Sequence, residues 1–282
     1  MAKKLQREST RPKQSFVLRA ARALLRWQAT GAPSPLLKAA RRYLQWNRHL
    51  LLDPELRYHG AILFLKKLPH VPDPRILDVG SGAAGLAYFL RSPVVGLDVD
   101  FVSQDFTSYP SPIQPVRGSA NALPFRDRSF DAVVSMDTIE HLPRAHRLEA
   151  LGEMLRVARH GLVVGFPYGK ESARFDARTL KEELARGEPM NWRQEHVHYG
   201  LPDDETHLRM LELAHRLRPD LSIQWVSQEG LIGLRLRTKL QRVVSKDSRL
   251  YGLVFVPLYW LHTRGWRPRG YRRIYFLMPL KA

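Results

Sequence analysis

The 282-residue chain contains no cysteine. Disulfides and thiolate metal sites are therefore excluded, as is the covalent chemistry in which a cysteine attacks a pyrimidine carbon. Long hydrophobic runs are also missing. The longest strongly apolar stretch, Leu250–Leu261, has 12 residues and contains Pro257, too short to cross a bilayer. Phe16–Leu25 is interrupted by Arg19 and Arg22, so it lacks the unbroken core of a secretory signal. Internal repeats, low-complexity tracts and an N-P-P-[YF] motif are absent. Acidic residues are scarce near both ends, with Glu8 the one acid before Asp53.

What is present describes a globular protein with basic flanks. Hydrophobic residues make up 44% and the mean hydropathy is −0.33, enough to bury a core. The formal net charge of +18 is unevenly placed: residues 1–60 carry +10, residues 231–282 carry +11, and the middle carries −3. Flanks of this sign suit phosphate, on an anionic membrane surface or on nucleic acid. Arg19, Arg22 and Arg26 share one face of a helix predicted over Phe16–Trp27, with aliphatic residues on another. A second basic helix is predicted from Ser34, an N-cap followed by Pro35. Bulky aliphatic faces bury better in lipid than against RNA, so peripheral contact with an anionic membrane is expected ahead of nucleic acid. The Arg-rich N-terminus also has some character of an organellar transit peptide; cytoplasmic placement is the default expectation. The oligomeric state is not encoded in any readable feature.

The turn Pro69–Pro74 suggests a boundary between a basic helical extension, 1–68, and a larger domain, 69–282. Within the latter, short apolar segments alternate with helical ones. Strands are expected at Arg75–Gly80, Pro93–Asp100, Pro115–Ala120, Phe130–Asp137, Gly161–Pro167, Leu221–Gln228 and Arg273–Leu280, with helices around Arg144–Arg159 and Asp203–Leu217. This order predicts an α/β fold: a Rossmann-like, doubly wound, mostly parallel seven-stranded sheet, with N-terminal helices and a helical insertion before the last strand. A cofactor half (74–167), an acceptor or lid insertion (168–202) and a basic aromatic segment (231–270) subdivide it.

The stretch Arg75–Leu90, RILDVGSGAAGLAYFL, reads as strand, glycine turn and helix start. Gly80, Gly82 and Gly85 satisfy the G-x-G-x-x-G spacing of dinucleotide sites, where a helix N-terminus holds a pyrophosphate. Asp78, two residues before Gly80, would repel a pyrophosphate but welcome an ammonium beside a sulfonium. S-adenosylmethionine has both. Asp98 at the end of the second strand can hold two ribose hydroxyls in either kind of ligand.

The segments ILDVGSGAAG, VVGLDVD, GSANALPFRDRSFDAVVSMDTIEHL and GLVVGFP, in this order and spacing, resemble class I S-adenosylmethionine-dependent methyltransferases, most closely the type-11 group with the ubiquinone and sterol enzymes. The resemblance spans about residues 74–167. It implies S-adenosyl-L-methionine as cofactor, held by Asp78, Gly80, Ser81, Gly82, Gly85, Asp98, Val99, Ser119, Ala120, Asn121 and Met136. There are departures. The third glycine of the pattern falls at Ala84, one place before Gly85. The acid that meets the adenine amino group is replaced by Ser119, leaving the backbone of Ser119 and Ala120 or the Asn121 side chain for that task.

Methyl transfer from a sulfonium needs positioning, plus a base where the acceptor carries a proton. Asp137, Glu140 and His141 follow the fourth strand; Asp137 and Glu140 could orient the acceptor or take its proton, His141 could serve as a base, and Asp137 is best placed, at the strand end. His141 also suits a structural part at the start of the next helix. A second patch, Asn191–Pro202, brings Glu195, His196, His198 and Tyr199 to the acceptor side. His196 and His198 with His207 lack the spacing of a metal site, so no metal is expected. The expected activity is methyl transfer to a small-molecule or lipid-linked acceptor. Methylation of RNA or protein, and cofactor binding without catalysis, are the alternatives.

Overall fold

In the computed structural model, residues 52–68, 71–82, 85–90, 93–101, 113–230, 234 and 270–280 are described. Helix α1 (Leu52–Leu65) precedes β1 (Ile76–Val79), and the one-turn α2 (Ala87–Leu90) precedes β2 (Val94–Asp98) and β3 (Ile113–Arg117). Strand β4 (Phe130–Met136) leads through two 3-10 turns, Ile139–His141 and Arg144–His146, into α3 (Arg147–Val157). Then follow β5 (Ala158–Pro167), α4 (Gly169–Ala185), α5 (Asn191–Tyr199), α6 (Asp204–Leu217), β6 (Leu221–Gly230) and β7 (Gly270–Pro279).

The seven strands form one sheet in the order β3-β2-β1-β4-β5-β7-β6. β7 runs antiparallel to β5 and β6, and the other pairings are parallel. The chain leaves β1 toward β2 and β3, then returns to β4 on β1's other side. That reversal opens a crevice at the carboxyl ends of β1 and β4, where ligands of open α/β sheets sit.

Side-chain alternation sorts the core into two layers. Val133, Leu162, Val164, Phe166, Tyr275 and Leu277 face α3 and α6, meeting Leu151, Met154, Leu155, Met210 and Ala214. Ala132, Val134, Met136, Val163 and Ile274 face the opposite way, onto Tyr58, Ala61 and Phe64 of α1. Every residue of β1 and β4 is buried, as expected of central strands covered on both faces.

Several boundaries differ from expectation. The helix after β4 starts at Arg147 rather than Arg144, because Pro143 is extended and two tight turns intervene. It ends at Val157, and Ala158 already belongs to β5. β3 ends at Arg117; beyond it only an isolated bridge, Ser119 to Ala122, continues the pairing. The stretch 191–199 is a helix, closed by Gly200 at a φ of 69°. α1, read as part of an N-terminal extension, packs into the sheet's own core. The basic helices expected over Phe16–Trp27 and from Ser34, and nearly all of the aromatic segment 231–270, lie outside the described residues. Among the described residues no helix is long and apolar enough to cross a membrane.

Candidate active site

The chain leaves β1 through Gly80, at a φ of 75°, and a Cβ there would strike the Thr138 hydroxyl. Gly82 and Gly85 have φ values of 57° and 49°, in the region that L side chains rarely adopt. A Cβ on Gly85 would lie 2.6 Å from Asp78 Oδ2. Gly85 thus supplies the close approach that the family pattern places one residue earlier. Ser81 is buried and donates to the Gly82 carbonyl at 2.9 Å.

Asp78 is 0% exposed. Its Oδ2 accepts the Tyr58 hydroxyl at 3.0 Å and the Leu86 N–H at 2.7 Å, while Oδ1 is buried without a partner. Burial raises its pKa to about 7, against the opposing pull of the Leu86 and Tyr58 hydrogen bonds. Oδ1 is a buried acceptor that no protein group engages.

Asp98 holds the glycine loop: its Oδ2 accepts the Gly82 N–H at 2.9 Å and its Oδ1 the Asp100 N–H at 3.3 Å. Each oxygen keeps a further lone pair for a hydroxyl. Val99 beside it is 62% exposed. Asn121 is not poised for adenine. Its Nδ2 donates to Glu149 Oε2 at 3.0 Å and to the His146 carbonyl at 3.3 Å, so the side chain is tied to the start of α3. Ser119 Oγ accepts the Asn121 N–H, and Ala120 is buried, which leaves their backbone for recognition. Met136 is fully buried against Gly165 and presents no surface to the crevice.

Asp137 has a φ of 54° and is clamped by arginines from two distant elements. Arg272 of β7 donates from Nε and Nη2, both at 2.6 Å, and Arg57 of α1 lies 3.1 Å away. A carboxylate engaged by such a fork is a poor proton acceptor, so of the two parts expected of Asp137 the contacts suit orientation better than proton transfer. Thr138 and Ser135 both donate to the Val79 carbonyl, fastening β4 to the glycine turn.

Glu140, in the turn after β4, is 0% exposed, and neither carboxylate oxygen has a hydrogen-bond partner. Burial, reinforced by Asp137, holds its pKa well above the ordinary range. His141 Nδ1 lies 2.6 Å from Glu195 Oε2. Burial and the neighbouring His196 hold His141 below its usual pKa, against the pull of Glu195. His141 therefore bridges to α5 instead of opening a helix.

Beyond these residues lies a cavity of about 650 Å³. Arg57, Arg186, Arg193 and Arg272 contribute charge to its wall, and Phe175, Met190, Trp192 and Leu234 contribute apolar surface. Its floor is a buried network that sequence reasoning largely missed. Asp176 of α4 accepts Arg193 Nη1 at 2.7 Å, receives the Tyr271 hydroxyl at 2.8 Å and 3.0 Å, and pairs with His196 Nδ1 at 2.8 Å. Arg193 Nε also donates to Glu183 at 3.0 Å. Asp176 and Glu183 lie on one face of α4 with Ser172, Phe175 and Thr179, all buried. A polar stripe at helical spacing looks like a solvated face in sequence, so nothing marked it as interior.

Compared with known families, residues 77–164 match the family described as methyltransferase domain. Residues 77–164 are a class I methyltransferase domain. Such a domain takes S-adenosylmethionine, and the unpartnered Asp78 Oδ1, the glycine cradle and Asp98 fit that ligand. The chain is 29% identical over 170 residues to a fatty-acid O-methyltransferase of Mycolicibacterium smegmatis, covering 57% of this chain and 61% of that protein. It therefore spans less than two thirds of that relative. Similar solved structures include a SAM-dependent methyltransferase from Thermotoga maritima, at 15% identity and a TM-score of 0.46, covering 86% of this chain and 97% of the other. Another is phospholethanolamine N-methyltransferase 2 of Haemonchus contortus, at 17% identity and a TM-score of 0.46, covering 80% of this chain and 53% of that one.

Proposed function

We propose that the protein is an S-adenosylmethionine-dependent methyltransferase acting on a small-molecule or lipid-linked acceptor, and that its basic flanks bring it to an anionic membrane surface. One observation carries the acceptor class. The cavity beside the methyltransferase crevice has the volume of a small-ligand pocket, about 650 Å³, and joins arginines to aromatic and aliphatic walls. Asp137, Glu140, Glu183 and Glu188 balance the arginines in that wall, so an amphiphile with a polar head matches it. The fatty-acid O-methyltransferase relative supports the same class.

The cofactor supplies an activated methyl group. The chain's own residues position and shield the reacting groups. Asp137, fixed by Arg57 and Arg272, and Thr138, packed on Gly80, join the cofactor turn to the cavity wall. His141, tied through its Nδ1 to Glu195, lines the cavity beside Glu140 and His196. Trp192, with the Arg193 guanidinium 4.2 Å from its ring centroid, forms an apolar side of the pocket and keeps water from the acceptor.

The test is transfer of labelled methyl from S-adenosylmethionine, by the full-length protein, into fractionated cell extract. Label in organic-soluble lipid or small aqueous compounds is expected, together with sedimentation on anionic vesicles. Label in RNA or protein would overturn the acceptor class, and bound cofactor with no transfer to any fraction would overturn catalysis.

A further inference from the structure

Glu140, His141 and His196 meet at the cavity wall, each offering one ligand atom, with all three atoms within 4.8 Å of one another. We propose that they form a divalent-metal site, two imidazoles and one carboxylate, open toward the cavity, where it takes an oxygen of the acceptor. The sequence held no such expectation, because chain neighbours mislead here. His198 meets the Tyr199 ring edge-on, and His207 pairs with the Tyr275 hydroxyl at 2.8 Å, so neither joins His196.

Two independent features point to a ligand. The first is an unmet demand for coordination. Both Glu140 oxygens and His196 Nε2 are buried with no hydrogen-bond partner, and Nε2 lies 3.8 Å from Glu140 Oε1. A buried carboxylate and a buried imidazole nitrogen left this way cost several kcal/mol on general grounds. One cation between them satisfies both.

The second feature is the outer layer. Metal-bound histidines usually donate their other nitrogen to a carboxylate, which fixes ring orientation and raises basicity. Both histidines have that arrangement: His196 Nδ1 is 2.8 Å from Asp176 and His141 Nδ1 is 2.6 Å from Glu195. Asp176 is itself anchored by Arg193 and Tyr271, so the His196 ring cannot easily turn.

Ligands of a tetrahedral ion with bonds of about 2.0–2.1 Å lie roughly 3.4 Å apart, so closure shortens the widest separation, 4.8 Å, by about 1.4 Å. Imidazole with carboxylate selects zinc, cobalt, iron or manganese over calcium, and the open side leaves room for a substrate oxygen. There the ion would act as a Lewis acid. The acceptor hydroxyl loses its proton to solvent, and its oxygen bonds to the methyl carbon as the carbon–sulfur bond breaks. This use of the ion rests on the methyltransferase reading; binding of the ion does not.

The experiment is cobalt titration of full-length, chelator-treated protein, followed by visible absorption and metal analysis, with S-adenosylmethionine binding measured in parallel. One cobalt per chain is expected, with ligand-field bands displaced by zinc. Glu140→Gln keeps the volume and removes the carboxylate ligand, so it should fold and lose more cobalt affinity than the ~10–100-fold typical of outer-layer changes. Glu195→Gln, at an exposed position, should weaken binding by about 10-fold. His198→Ala should leave it unchanged. A wild-type chain that binds S-adenosylmethionine but takes up no stoichiometric cobalt would overturn the site, as would a Glu140→Gln chain that binds like wild type. Cobalt uptake without cofactor binding would instead fault the methyltransferase reading and leave the site standing.

Discussion

Replacing Asp78 with Asn separates the two demands made on that buried carboxyl. Its pKa rises from 3.8 to about 7 because burial disfavours the charged form. Between these values the folded protein keeps a proton that the unfolded chain releases. The folded state binds more protons, so stability falls as pH rises, by about 1.4 kcal/mol per unit, and levels off above pH 7. From pH 5 to pH 8 the penalty grows by about 2–3 kcal/mol. Asn does not titrate. Its carbonyl can still accept from Tyr58 and Leu86, and its buried NH₂ carries a fixed cost of about 1–3 kcal/mol at every pH. Urea unfolding of cofactor-free wild type and Asp78→Asn at pH 5 and pH 8 should therefore show the variant gaining about 2–3 kcal/mol relative to wild type at the higher pH. Cofactor binding should move the other way. At pH 8 the variant should bind S-adenosylmethionine at least about tenfold more weakly, and at pH 5, where wild-type Asp78 is protonated, the two should converge. A stability difference that does not change with pH would refute the assignment of a raised pKa to Asp78, and with it the reasoning.

Three further outcomes follow from other contacts. Tyr58→Phe removes a 3.0 Å hydrogen bond to Asp78 and should cost about 1–3 kcal/mol at pH 8, read by urea unfolding. Gly85→Ala places a Cβ 2.6 Å from Asp78 Oδ2 on a residue with a φ of 49°; calorimetry should show cofactor binding lost and stability lowered by about 1–2 kcal/mol. Arg193→Met leaves Asp176 and Glu183 buried without their cation and should cost about 3–5 kcal/mol, partly restored by adding Glu183→Gln.

The cofactor half was the most legible part of the chain. Its strands are continuous apolar runs, and its glycines occupy φ values that other residues avoid, so local chemistry alone put Gly80, Gly82 and Gly85 in the turn region after β1 and Asp98 at the end of β2. Asp78 was placed at the right strand end, but its enclosure by Tyr58 was not visible, because α1 reaches it from 20 residues away. Asp137 shows the same gap more strongly. Its clamp comes from Arg272, 135 residues later, and no local pattern announces a pairing across that span. The acceptor side was least legible. The buried face of α4 is built from Ser172, Asp176, Thr179 and Glu183, so a reading based on hydrophobic periodicity assigns it to solvent.

The most direct test is a calorimetric titration of the full-length protein with S-adenosylmethionine and, separately, with NAD⁺. The account predicts one S-adenosylmethionine per chain, abolished by Gly80→Ala, and no heat with NAD⁺. Saturable NAD⁺ binding that Gly80→Ala removes, with S-adenosylmethionine silent, would contradict it.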